Sequence, residues 1–138
     1  MSTIVERESR PLVWLPWSVW LLYLLSWSAG LLTPQPVLVA VAILPSRVMS
    51  FSFGLVHVCA YAAFAALSGW VPLARRHRWL LLAFLSAHAF ATEFLQGFVP
   101  LRTPSWGDVG LDHLGIVLGL IACRKLWLAD AERTVADN

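Results

Sequence analysis

LVWLPWSVWLLYLLSWSAGLL, residues 12–32, contains no acidic, basic or histidine residue. An α-helix rises about 1.5 Å per residue and the hydrocarbon core of a bilayer is about 30 Å thick, so about 20 apolar residues suffice to cross it. This stretch is long enough. A helix on the surface of a soluble protein keeps a polar face, and this one has none, so lipid is its natural solvent. Pro16 lies near the start of the run, where a missing backbone N–H is tolerated. The run exceeds the roughly 7–15 apolar residues of a signal peptide, and the preceding ERESR carries mixed charge, so an uncleaved helix is expected.

Working outward, three further runs repeat the pattern. Residues 51–74 carry His57 as their only acidic or basic residue, 79–99 contain His88 and Glu93, and about 106–128 open with Asp108 and Asp112. Between the first two runs, VLVAVAIL (37–44) is apolar but too short to cross as a helix. Prolines 34, 36 and 45 bracket it, which fits an interfacial or re-entrant piece. The whole chain agrees: of 138 residues 59% are hydrophobic and 13% charged, whereas a soluble domain has about 45–50% apolar and about 25% charged residues. The expectation is an all-α, integral membrane bundle of four transmembrane helices forming a single domain, 1–138. No repeat or low-complexity tract is visible, and no basic helix interleaved with polar residues points to nucleic acid. Cys59 and Cys123 would lie at different depths, beyond the roughly 7 Å Cα limit of a disulfide, and read as buried small hydrophobes.

Orientation follows from Lys and Arg in short loops. With both termini cytoplasmic, Arg7, Arg10, Arg75, Arg76, Arg78, Arg124, Lys125 and Arg133 lie inside, and only Arg47 and Arg102 outside. Trp14, Trp70, Trp79 and Trp127 then fall near the inner interface, with Trp27 and Trp106 near the outer one.

This topology brings the polar residues to one level. Glu93 and Gln96 fall in the outer half of the third helix, Asp108 and Asp112 in the outer half of the fourth, and His57 and Tyr61 near the same depth on the second. Arg102 sits in the outer loop. At about 100° per residue, Asp108, Asp112, Gly115 and Gly119 share one stripe, the last two forming a GxxxG that lets helix backbones approach closely. His57, Tyr61, Phe64 and Ser68 share a face of the second helix, and Ser86, Ala89 and Gly97 lie near Glu93 on the third. Those small-residue faces should turn the acids into the bundle, because an ionised Asp at mid-membrane costs roughly 2.5–3.5 kcal/mol on insertion scales. Arg102, whose planar fork holds carboxylates bidentately, is the expected counter-ion. His57 and Tyr61 could form a hydrogen-bonded pair, and His88 has no obvious partner. The alternative reading of every one of these groups is structural, as interface anchors or interhelical links.

The same residues resemble the VanZ-like family of small bacterial membrane proteins. The family's E-x-x-Q-x-x-x-P-x-R is similar to EFLQGFVPLR, through Glu93, Gln96, Pro100 and Arg102. Its D-x-x-x-N-x-x-G-x-x-x-G is similar to DVGLDHLGIVLG, Asp108 to Gly119, with Asp112 where the family has Asn. Of its D-K-x-x-H-x-x-x-Y, His57 and Tyr61 match, whereas Phe53 and Gly54 occupy the Asp-Lys positions. The resemblance covers roughly 53–119 and implies a multi-pass protein of the bacterial inner membrane, linked in some members to glycopeptide resistance.

Two functions are weighed. The first is a cell-envelope binding or accessory protein whose pocket of His57, Tyr61, Glu93, Gln96, Arg102, Asp108 and Asp112 opens to the outer leaflet and takes a lipid-linked precursor or lipoglycopeptide. The second is a membrane-embedded enzyme acting on a lipid or polyprenyl-phosphate substrate through Glu, Asp and His. There is no HExxH, serine-nucleophile motif or Asp-rich metal motif, and no cofactor is expected. A proton- or solute-conducting element ranks below both, since four helices leave little room for alternating access and no inverted repeat is seen.

Overall fold

In the computed structural model residues 14–34 and 46–128 are described, with side chains from 53 onward in the second segment. The described chain is all-helical: α1 (Trp14–Leu32), α2 (Ser46–Trp70), α3 (Arg75–Gln96), α4 (Trp106–Ala122) and a short α5 (Arg124–Leu128). The apolar piece at 37–44 lies outside the described residues. α2 stops at Trp70, short of the expected 74, because Pro72 bars its predecessor from helical geometry. α3 starts four residues early, so that Arg75, Arg76, His77 and Arg78 form its first turn.

Contacts between the helices alternate in direction. Trp20 of α1 meets Ser68 while Trp27 meets His57, so α1 and α2 are antiparallel. Ser28 meets His88 and Trp20 meets Phe84, so α3 runs with α1. Gly115 lies against Val58 and Gly119 against Ala62, so α4 runs with α2. The result is an up-down-up-down bundle in which α4 packs most extensively on α2.

Its core is small: Trp20, Tyr61, Phe64, Ala65, Val71, Leu85, Ala89 and Ile116. Tyr23 stacks edge-on against Phe64 with ring centres 4.4 Å apart, and Trp20 meets the same ring at 6.2 Å. Most large apolar side chains instead point outward, including Leu22, Leu25, Leu80, Phe94 and Ile121. In water this surface would be an aggregation hazard, whereas in lipid it is the expected exterior. Three helices, Trp14–Leu32, Phe53–Trp70 and Arg75–Gln96, are long and apolar enough to cross a membrane. Cys59 belongs to the outward surface, which corrects the expectation that it is buried, and Cys123 is half-buried; both thiols are free.

The run expected at about 106–128 is two helices. α4 has 17 residues, about 25 Å of rise, and a turn at Cys123 separates it from α5. Contacts with α2 and α3 hold α5 after the turn. Arg78 Nη1 donates to the carbonyls of Leu126 (2.5 Å) and Trp127 (3.3 Å), and Trp127 Nε1 donates to Ala65 O at 2.9 Å. A methyl at Gly69 would stand 2.9 Å from the Trp127 ring, so that glycine makes room for the indole.

Candidate functional site

The polar side chains gather at the end of the bundle where α1 and α3 finish and α2 and α4 begin. Glu93, Gln96, Asp112 and His57 are all buried there, Asp112 at 1% exposure, and Tyr61 is fully enclosed. Asp108 and Arg102 are half-buried. The face shared by His57, Tyr61, Phe64 and Ser68 is the buried face of α2.

What lets Asp112 reach α2 is the stripe beneath it. A Cβ on Gly115 would collide with the backbone carbonyl of Val58, and one on Gly119 with that of Ala62. The two backbones therefore touch, and His57 Nδ1 meets Asp112 Oδ1 at 2.8 Å. An ionised carboxylate only accepts, so Nδ1 carries the proton and Nε2 faces away from Asp112. Trp27 of α1 covers the imidazole edge-on, ring centres 5.5 Å apart.

Glu93 has a different partner. Its Oε1 accepts from the backbone N–H of Ser105, the N-cap of α4. A carboxylate there satisfies an otherwise unpaired helix-end donor and lies at the positive end of the α4 dipole. Asp108 sits in the first turn of the same helix and close enough to act electrostatically on His57 and Asp112.

Arg102 corrects an expectation. It forms no ion pair among the described residues and reaches across to the end of α1, Nη2 donating to Gly30 O at 2.7 Å and Nε to Thr33 O at 3.3 Å. It thus caps α1, whose last carbonyls lack helical partners. The turn that aims it places Leu101 at φ 64°, a left-handed conformation costly for a branched residue. The side-chain partner of Asp112 is a histidine on α2.

A second network lies one turn deeper. Ser28 spends its proton on Leu24 O (2.8 Å), so it accepts from His88 Nε2 at 2.9 Å. With that proton on Nε2, Nδ1 of the neutral ring accepts from the Tyr61 hydroxyl at 2.9 Å. His57 and Tyr61 are therefore not paired with each other, and His88 has two partners where none was expected. Thr92 and Asp112 flank the Tyr61 hydroxyl at longer range. Below this level the buried side chains Phe64, Ala65 and Leu85 are apolar, so the polar network does not continue through the bundle. Replacing Tyr61 by Phe should leave His88 Nδ1 without its donor and lower stability by about 0.6–1.7 kcal/mol. Thermal melting in detergent checks this, and the loss should largely vanish in a His88→Ala background.

At this end of the bundle, among the described residues, the buried donors Gln96 Nε2 and Trp27 Nε1 have no hydrogen-bond partner. The indole N–H lies near the Tyr61 hydroxyl without forming a well-shaped hydrogen bond to it. His113, off this face, is accounted for locally: Nδ1 donates to Val109 O (2.7 Å) and Nε2 accepts from Ser86 (2.8 Å). Among the described residues no three His, Cys, Asp or Glu side chains come together to hold a metal ion.

Fold and site together define an all-helical protein, with three helices able to span a membrane and a buried polar cluster at one end. No family model, no curated protein and no solved structure matches the chain.

Proposed function

We propose that this is a VanZ-like protein of the bacterial inner membrane, with four crossings and both termini cytoplasmic. Its polar end receives a lipid-linked envelope precursor or a lipoglycopeptide from the outer leaflet. The observation that carries the reading is Gln96: a side chain 4% exposed, on the face of α3 that bears Glu93 and Thr92, whose amide N–H₂ has no partner. Burying an unpaired amide costs about 1–3 kcal/mol, a cost that a ligand acceptor would offset.

Other features support it. The alternation of α1 to α4 suits four passes, with the fourth completed by α5. Lys and Arg counts favour cytoplasmic termini. The resemblance through Glu93, Gln96, Pro100, Arg102, Asp108, Gly115 and Gly119 runs through residues that build this end of the bundle. Arg102 keeps guanidinium donors beyond the two used on α1, enough to take a phosphate or carboxylate at the rim. Glu93 and Asp108 offer acceptors for sugar hydroxyl or amide N–H groups.

The test uses protein in lipid nanodiscs and the part of its tryptophan fluorescence that a Trp27→Phe variant lacks, since Trp27 sits on His57. Titration with a lipid-linked peptidoglycan precursor should shift the emission. Arg102→Ala and Gln96→Leu should each weaken binding at least about 10-fold, roughly 1.4 kcal/mol, at unchanged expression. Wild-type affinity in both variants would mean that the cluster only ties helices together.

A further inference from the structure

We propose that His57, held by Asp112, is a general base that directs water at the carbonyl of a carboxylic ester carried by a lipid. The inference rests on the reading that this end of the bundle takes a lipid-borne ligand, and goes beyond it in assigning a reaction.

The geometry comes first. Asp112 fixes His57 through Nδ1, which sets the tautomer and leaves Nε2 as the basic nitrogen. No group among the described residues bonds Nε2, and the imidazole keeps 11% of its side chain exposed while Asp112 keeps 2%. The imidazole thus keeps a small opening, and its orienting carboxylate keeps almost none. A histidine serving only to link two helices has no need of an open second nitrogen.

The surroundings then select the substrate. Asp112 touches His57, and Asp108 and Glu93 act on it at longer range, whereas Arg102, at the rim, is turned toward α1. A phosphate dianion placed at His57 itself, away from the rim, would meet the like charge of Asp112. The donors left unpaired at this end, Gln96 Nε2 and Trp27 Nε1, are neutral N–H groups. They suit a carbonyl oxygen that becomes negative during reaction, and offer nothing to a cation.

The step balances without metal or redox partner. His57 Nε2 takes a proton as the water oxygen bonds to the carbonyl carbon, and the C=O electron pair moves to oxygen. Gln96 and Trp27 donate to that oxyanion. On collapse the C=O re-forms, the ester C–O bond breaks, and the proton on Nε2 passes to the leaving alcohol. A carboxylic acid and an alcohol result, with His57 neutral again. Asp112 is a positioning residue throughout.

The experiment uses the full chain in nanodiscs with three probes: a diacylglycerol labelled in one acyl chain, its dialkyl ether analogue, and a polyprenyl diphosphate. Labelled fatty acid should be released from the ester, the ether analogue should bind without reaction, and no phosphate should be freed. His57→Ala should slow release about 10²–10⁴-fold and recover in part with added imidazole. Gln96→Leu should lower kcat about 10²–10³-fold. Asp112→Asn should lower kcat and alter its pH profile, with Asp112→Glu recovering part of the loss. Ether analogue bound but ester intact would overturn the catalytic inference alone, and so would release unaffected by His57→Ala or release of phosphate in place of acid. Absence of ether binding together with absence of the precursor-induced fluorescence shift would remove the ligand site as well.

Discussion

Gly115→Val and Gly119→Val combined are expected to abolish the folded bundle, while Gly110→Ala, on the same helix, leaves it intact. The difference is one of neighbours. An added Cβ at Gly119 meets the Ala62 carbonyl, with Ala65 Cβ at 2.8 Å and Ala62 Cα at 2.9 Å; at Gly115 it meets the Val58 carbonyl and Tyr61 Cβ at 3.0 Å. Backbone cannot swing aside as a side-chain tip can, so α4 must retreat from α2. Overpacking of this kind costs about 1–3 kcal/mol per site even for small additions. Valine adds two further methyls at each. At Gly110 nothing lies within 4 Å of the added carbon, so alanine should gain up to about 1 kcal/mol of helix propensity. Melting in detergent and protease resistance compare both variants with the wild type. If the double variant melts with the wild type, α2 and α4 do not touch through these glycines.

The same glycines mark how far the sequence could be read. A GxxxG beneath two aspartates is a local pattern, and helical periodicity alone predicts that these residues share a stripe; the structure shows that stripe seated on α2. The enclosed face of His57, Tyr61, Phe64 and Ser68 was legible for the same reason. Partnerships were not, because they depend on rotation and register between helices. Arg102 was matched with a carboxylate because opposite charges attract, yet the turn at Leu101 aims it at the bare carbonyls of α1. His88 has no obvious partner in the sequence because its partners, Ser28 and Tyr61, lie on α1 and α2. Ser28 and Trp27 gave a single weak signal, polar atoms in a helix without charge. The break at Cys123 has none within its own segment, and the contacts that hold α5 beyond it come from Arg78 and Gly69 on other helices.

Asp112→Ala is expected to destabilise the protein by about 1–3 kcal/mol, the cost of leaving a buried donor unsatisfied, whereas Asp112→Asn should cost far less. Alanine removes the hydrogen-bond partner of His57 Nδ1 at a position 1% exposed. Asparagine keeps an oxygen acceptor of the same reach, and it is the residue that the VanZ-like pattern carries there. The two variants therefore separate two roles. If Asp112 only ties α4 to α2, asparagine should preserve both stability and every activity. If it also fixes the tautomer of a working base, the asparagine protein should melt close to wild type and still react more slowly, because an amide can rotate to donate to Nδ1 and force the proton to Nε2. A double-mutant cycle with His57→Ala supplies the check on partnership. The loss in the double alanine variant should be smaller than the sum of the two single losses, with a coupling of at least about 0.5 kcal/mol. Full additivity would mean that the 2.8 Å contact contributes nothing to holding α2 and α4 together.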